Sequence, residues 1–144
     1  MVSRPEPRGR ADFKAWRSFA TRWADNDVYG HVNNTVFYQW FDSAVNAWLI
    51  DHHLLDIHGG AMIGLVVETR CSFFAPLTFP RPVEVGVGLV QIGNSSVCYR
   101  VGVFDVGHPQ TAAHGEFTHV YVDRQTRRPV ALPGAWREAL AALG

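Results

Sequence analysis

From Asn34 to about His52 the apolar residues recur with a helical period: Val36, Trp40, Ala44 and Trp48 stand four apart, flanked by Phe37, Phe41, Val45 and Leu49. A stripe this broad predicts one amphipathic helix with a wide buried face. Asn33 or Asn34 can serve as its N-cap, and His58-Gly59-Gly60 carries the turn chemistry that closes the segment.

Elsewhere the period is two. Between Ala15 and Trp23, Phe19, Thr21 and Trp23 alternate with Ser18, Ala20 and Arg22, which predicts a first strand. Met62 to Phe74 is a β-rich run ended by Pro76; Val83, Val85, Val87 and Leu89 alternate strictly; Val97, Tyr99, Val101 and Val103 repeat the pattern. Gly93-Asn94 between the last two runs suits a two-residue type II′ hairpin. Phe117, His119 and Tyr121 mark a final strand, and Ala135 to Leu143 reads as a short C-terminal helix. The order β-α-β-β-β-β predicts an α+β layout, in which one largely antiparallel sheet covers the stripe of one long helix. On the sheet's second face, Glu84, Gly86 and Gly88 are small or polar and suited to close approach by another chain.

Length and composition narrow the function classes. A chain of 144 residues with 47% apolar content is expected to be one soluble domain with a core of its own. Formal charge is zero, which argues against nucleic acid as the main partner, and no apolar run is long enough to span a membrane. Residues 1–12, with Arg4, Pro5, Pro7, Arg8, Gly9 and Arg10, lack the apolar region of a secretory signal, so they are expected as a disordered leader before a single domain over 13–144 in a cytoplasmic protein. Cys71 and Cys98 are too few for a disulfide framework and fit no zinc spacing, so they read as small buried hydrophobes. His52, His53, Asp56 and His58 form the densest group of metal-ligating types, yet adjacent histidines on a helix point apart, and no metal is expected.

The chemistry concentrates in Arg22–Tyr38, RWADNDVYGHVNNTVFY, where two carboxylates and a glycine turn precede the helix. An aspartate there lies close to main-chain N–H groups that lack intrahelical partners and attract developing negative charge. Asp, Asn and Gly before a helix are also what turns and N-caps use for local reasons, and spacing alone leaves both readings open.

The string Asp25-Asn26-Asp27, then Gly30-His31-Val32-Asn33-Asn34, then Tyr38, resembles the signature of the 4-hydroxybenzoyl-CoA thioesterase-like branch of the hotdog-fold acyl-CoA thioesterases. The resemblance is close over Arg22 to about Asp42 and looser from Ala15 to Asp123. It implies a hotdog fold with one long central helix wrapped by a five-stranded sheet, and hydrolysis of an acyl-CoA or acyl carrier protein thioester. Asp27 would be the general base or nucleophile and the main-chain N–H of Asn34 the oxyanion donor. His31 is carried along with a smaller claim to a direct role, Gly30, Asn33 and Tyr38 as substrate-binding positions, and Asp25 as a structural member of the loop. A homodimer with sites between subunits is implied, or a homotetramer, with no cofactor beyond the coenzyme A of the substrate.

Two features depart from the pattern. Some members carry a basic run on the hairpin near Gly93-Asn94 that meets the nucleotide phosphates, whereas Gln91 to Ser96 has no positive charge here; Arg70, Arg81, Arg100, Arg127 and Arg128 are the alternative phosphate contacts. His58-Gly59-Gly60 resembles a motif that precedes the helix in another hotdog branch, where a helix carboxylate is catalytic. Here it follows the helix, which leaves Asp42 and Asp51 as lesser rivals of Asp27. The alternative from another class is an acyl-thioester-binding module without turnover.

Overall fold

In the computed structural model, which describes residues 4–144, the periodic stripe becomes α1 (Asn34–Asp51). Asn33 is the N-cap: its side chain accepts the Thr35 N–H at 3.0 Å. Val36, Phe37, Trp40, Phe41, Ala44, Val45, Trp48 and Leu49 are all buried, the eight residues of the sequence stripe. Each large apolar side chain so removed from water contributes roughly 1.5–3 kcal/mol, as an upper bound.

The sheet that receives this face has strands β1 (Ala15–Phe19), β2 (Met62–Phe73), β3 (Val83–Ile92), β4 (Ser96–Asp105) and β5 (Ala113–Asp123). All neighbours are antiparallel, in the order β1-β3-β4-β5-β2, and α2 (Gly134–Ala141) closes the chain. This is the hotdog arrangement, with α1 held against the inner face. Val83, Val85, Val87, Val97, Val101 and Val103 point inward and are buried. Also on that face, Tyr99 Oη and Tyr121 Oη are hydrogen-bonded at 2.7 Å, and Tyr121 Oη meets His119 Nδ1 at 3.0 Å. Burial pushes both phenols above their ordinary range and pulls His119 down to about 4, so all three stay neutral near pH 7.

Three expectations change. β1 ends at Phe19, four residues early, because its partner begins there: Phe19 pairs with Val83, the first residue of β3. Thr21 instead turns inward to donate to the Arg81 carbonyl at 2.9 Å. The β3–β4 connection is wider than a two-residue II′ turn. Ile92 pairs with Val97, the Gly93 N–H donates to the Ser96 carbonyl at 2.8 Å, and Gly93 lacks the positive φ that a II′ turn requires. Neighbouring elements hold the loop open: its carbonyls at Asn94 and Ser95 accept from Leu132 N–H at 2.9 Å and Tyr121 N–H at 2.7 Å.

The third concerns residues 1–12. Residues 1–3 lie outside the described residues, but 4–12, expected as a disordered leader, are tied to the outer face of the sheet. The Arg8 N–H donates to Thr111 Oγ1 at 2.9 Å, Arg10 pairs with Glu84 at 2.7 Å and lies over the rings of Trp16 and Phe104, and His114 Nε2–H donates to the Glu6 carbonyl at 2.7 Å. Phe13, fully enclosed, sits in a hollow made by Gly86 and Gly102; a methyl group at Gly86 would stand 2.7 Å from Phe13 Cβ. The glycines that offered room for another chain are thus covered by this chain's own N-terminal segment. Arginine stacking on aromatics, with the buried Phe13 that follows, anchors the segment.

Candidate functional site

The loop before α1 folds back on itself in two stages. Asp25 is buried, and its carboxylate accepts the Arg22 N–H at 2.8 Å and the Arg22 guanidinium at 2.7 and 2.9 Å. The Asp25 carbonyl accepts the Asn33 N–H at 2.8 Å, fastening the loop to the helix start. Both oxygens of this carboxylate are thus partnered within the loop, which it holds.

The second stage is a tight turn. Asn26 bridges Val32, the Asp27 N–H donates to the His31 carbonyl at 2.9 Å, and the Gly30 N–H donates to the Asp27 carbonyl at 3.0 Å. Gly30 has φ +82°, the left-handed conformation that glycine adopts without cost. Its carbonyl accepts from Thr78 Oγ1 at 2.9 Å. Asp27 is half-exposed; Oδ1 accepts the Tyr29 N–H at 2.9 Å, while Oδ2 has no hydrogen-bond partner among the described residues. One oxygen fixes the turn and the other is presented to solvent.

Beside the turn, a cavity of about 320 Å³ is lined by His31, Val32, Asn34, Phe37 and the stretch from Phe73 to Leu77. Asn34 is the first residue of α1, and its N–H has no partner among the described residues, as the helix start dictates. The exposed His31 side chain stands at the mouth. Asp27 does not line the cavity; the turn places its backbone against that of His31, which does.

Gly30, Asn33 and Tyr38 also lie off the cavity wall. Gly30 shapes the turn, Asn33 caps the helix, and the half-buried Tyr38 ring meets Phe41 edge-on at 6.1 Å. The rival carboxylates are elsewhere: Asp51 pairs with Arg17 at 2.7 Å, and the exposed Asp42 accepts from its own helix neighbour Asn46 at 3.0 Å. His52 stacks on Trp48 at 4.3 Å, and Asp56 Oδ1 accepts from the N–H groups of His58 and Gly59, so that histidine-rich stretch is absorbed in closing the helix. Cys71, half-buried on the core side of β2, has its thiol pushed up to about 12 by burial.

Sequence reasoning missed the residues from Phe73 to Phe79 as part of the site. Phe73 and Phe74 wall the cavity, the Leu77 carbonyl accepts the Val32 N–H at 2.8 Å, Thr78 ties Gly30, and the Phe79 N–H donates to Asn26 Oδ1 at 3.2 Å. Only the pairing of β2 with β5 brings this stretch to the helix start, and no local pattern announces it.

Residues 21–140 match the thioesterase-like superfamily. No curated protein matches the chain. Among solved structures, the PA5185 protein of Pseudomonas aeruginosa is 47% identical, with 96% of each chain covered and a TM-score of 0.92. The PA2801 protein of the same species, described as a candidate thioesterase, is 28% identical over 88% of this chain and 98% of its own, with a TM-score of 0.81. A 1,4-dihydroxy-2-naphthoyl-CoA thioesterase from Synechocystis, Slr0204, shares the fold at 24% identity, covering 88% of this chain and 94% of its own with a TM-score of 0.78.

Proposed function

The chain belongs to the thioesterase-like superfamily, and from that premise we propose that it hydrolyses an acyl-CoA, or the equivalent acyl carrier protein conjugate, through Asp27 and the Asn34 N–H. The observation that carries the reading is the contrast in the loop: Asp25 is buried with both oxygens partnered, whereas Asp27 keeps an oxygen unpartnered among the described residues, in the turn beside a cavity lined by Asn34.

Thioester hydrolysis needs a carboxylate that attacks the carbonyl or takes a proton from water, and a donor for the oxyanion. The partial positive charge of the α1 N-terminus adds to the Asn34 N–H in holding that oxyanion. Phe37, Phe73, Phe74 and Leu77 offer the thioester's acyl side an apolar wall. Coenzyme A is the carrier this reading prefers, in keeping with the Synechocystis protein of the same fold.

The expected homodimer has support in the sheet edge. Among the described residues β2 pairs only with β5, and along its twelve residues Leu65, Val66, Val67 and Phe73 are exposed. An open edge with apolar side chains is a template for another strand, so a second copy is expected to pair there. Sedimentation showing an active monomer at micromolar concentration would refute the dimer.

Release of free thiol from a panel of acyl-CoAs, followed with a thiol reagent, tests the function. Turnover of at least one acyl-CoA is expected. Silence across the panel combined with tight acyl-CoA binding would replace the hydrolase with a binding module.

A further inference from the structure

A cavity larger than the one at the helix start is also present. It measures about 730 Å³ and lies across the outer face of the sheet, between residues 4–9 and the side chains of β2, β4 and β5, in the size range of organic ligand sites. The two meet at the end of β2: Ser72 lines the outer groove, the next residue, Phe73, lines the inner cavity, and Phe74 of the inner cavity stacks on His114 of the groove at 5.1 Å.

The groove is cationic for a structural reason. Arg70, Glu116 and Arg100 face one another across β2, β5 and β4, because Glu116 is in register with both arginines. Glu116 pairs with Arg70 at 2.9 Å, which leaves the half-buried Arg100 without an ion pair or hydrogen bond among the described residues. The N-terminal segment contributes Arg4 and Arg8 to the opposite wall, the latter 3.4 Å from Asp12. Burial lowers the pKa of His114, against the Glu6 carbonyl that raises it and with Arg8 and Arg100 nearby lowering it further. Three acidic residues, Glu6, Asp12 and Glu116, also line the groove, but the last two already face arginines.

The structure thereby separates the five arginines that sequence offers as phosphate contacts. Arg81 is committed to Asp105 at 2.9 Å, and Arg127 and Arg128 sit on the turn after β5, at the opposite end of the β2–β5 ladder. Of the five, Arg70 and Arg100 line the groove.

We propose that this groove binds a phosphate group on the carrier half of the thioester, with Arg100 as principal donor and Arg70 and Arg8 beside it. The inference rests on the thioesterase reading for the identity of the ligand. Its chemistry, a guanidinium fork receiving phosphate oxygens at a partly enclosed surface, is independent of the catalytic assignment. Two sources share it: the nucleotide phosphates of coenzyme A and the phosphate of 4′-phosphopantetheine.

Calorimetric titration with adenosine 3′,5′-bisphosphate and, separately, with 4′-phosphopantetheine distinguishes them. At least one probe should bind, and Arg100→Gln should weaken it by about tenfold, the lower end of what a charge-assisted contact supplies. Arg128→Gln, a charge-matched change outside the groove, should leave the affinity as it was. Binding by the nucleotide marks coenzyme A; binding by phosphopantetheine alone marks a carrier protein's prosthetic arm. Arg100→Gln removes no ion pair, and circular dichroism verifies its fold. Failure of both probes to bind, or binding indifferent to Arg100→Gln, overturns the proposal.

The measurement requires no turnover. A protein that binds a probe through Arg100 yet releases thiol from no thioester refutes the hydrolase reading and keeps the groove. Turnover without Arg100-dependent binding does the reverse.

Discussion

At the start of α1, Asp27, His31 and the Asn34 N–H stand exposed or half-exposed at a turn and the cavity beside it, whereas on the inner face of the sheet Tyr99, Tyr121 and His119 form a hydrogen-bonded chain sealed from water. Both clusters hold groups that can give or take protons. The inner one is the better satisfied and the more strongly perturbed, yet no substrate can reach it, and burial keeps His119 neutral down to about pH 4. Perturbation by burial marks a structural group here, while spare hydrogen-bonding capacity beside a cavity marks the candidate for chemistry. The same contrast recurs within the loop, between Asp25, with both oxygens partnered, and the half-open Asp27.

The largest expected effect breaks the outer cluster. Asp27→Asn keeps the Tyr29 contact, because its amide oxygen still accepts, but can neither take water's proton nor attack. Turnover should fall by at least the ~10²–10⁴-fold of a lost general base, with acyl-CoA affinity retained. Steady-state thiol release beside binding of a non-hydrolysable analogue separates the two quantities. Turnover within a fewfold of the parent would show that the chemistry lies elsewhere, and a dead Asp42→Asn would say where.

Next comes the oxyanion donor. Asn34→Pro deletes the N–H and should raise the barrier by about 2.7–4 kcal/mol, while Asn34→Ala retains appreciable activity. The backbone is prepared for proline: Asn34 is the first helical residue, and Asn33 already has φ −63° and ψ 142°, the extended conformation a following proline demands. Equal and severe losses in folded Ala and Pro variants would transfer the role to the side chain.

The inner cluster should answer in stability instead. His119 has its pKa depressed from 6.5 to about 4 by burial, so the unfolded chain takes up a proton that the folded protein refuses. Its contribution is therefore full above pH 6.5 and is lost as pH falls toward 4, amounting to about 3 kcal/mol across that window. His114, depressed in the same direction, adds to the slope. Denaturant unfolding between pH 4 and 8 should show this loss diminished in His119→Gln. Identical slopes in parent and variant would mean that the imidazole is not neutral and sealed as described.

The helix was legible because its evidence is local. Val36, Trp40, Ala44 and Trp48 share one face by the 3.6-residue period alone, and all four are buried. The capping role of Asn33 and the structural role of Asp25 were legible for the same reason, since each bonds within eight residues of itself. The end of β1 was not, because a strand lasts only as long as its partner, and β3 begins opposite Phe19. Nor was the anchoring of residues 4–12, where Phe13 finds a hollow made by two glycines from different strands.

Sequence by itself determined the principal elements, their amphipathic faces and the polar groups gathered in the turn before α1, because side-chain period, capping and turn propensity act between residues a few positions apart. Tertiary structure alone decided that β2 leaves its neighbours in sequence to pair with β5, and with that both cavities came into being. Phe73 and Phe74 become a wall against the helix start, and Arg8, Arg70 and Arg100 gather into one groove, only when segments up to about a hundred residues apart are drawn together. The energy that draws them is burial of apolar surface, which is non-directional and leaves no signature at the positions of the polar groups it happens to assemble.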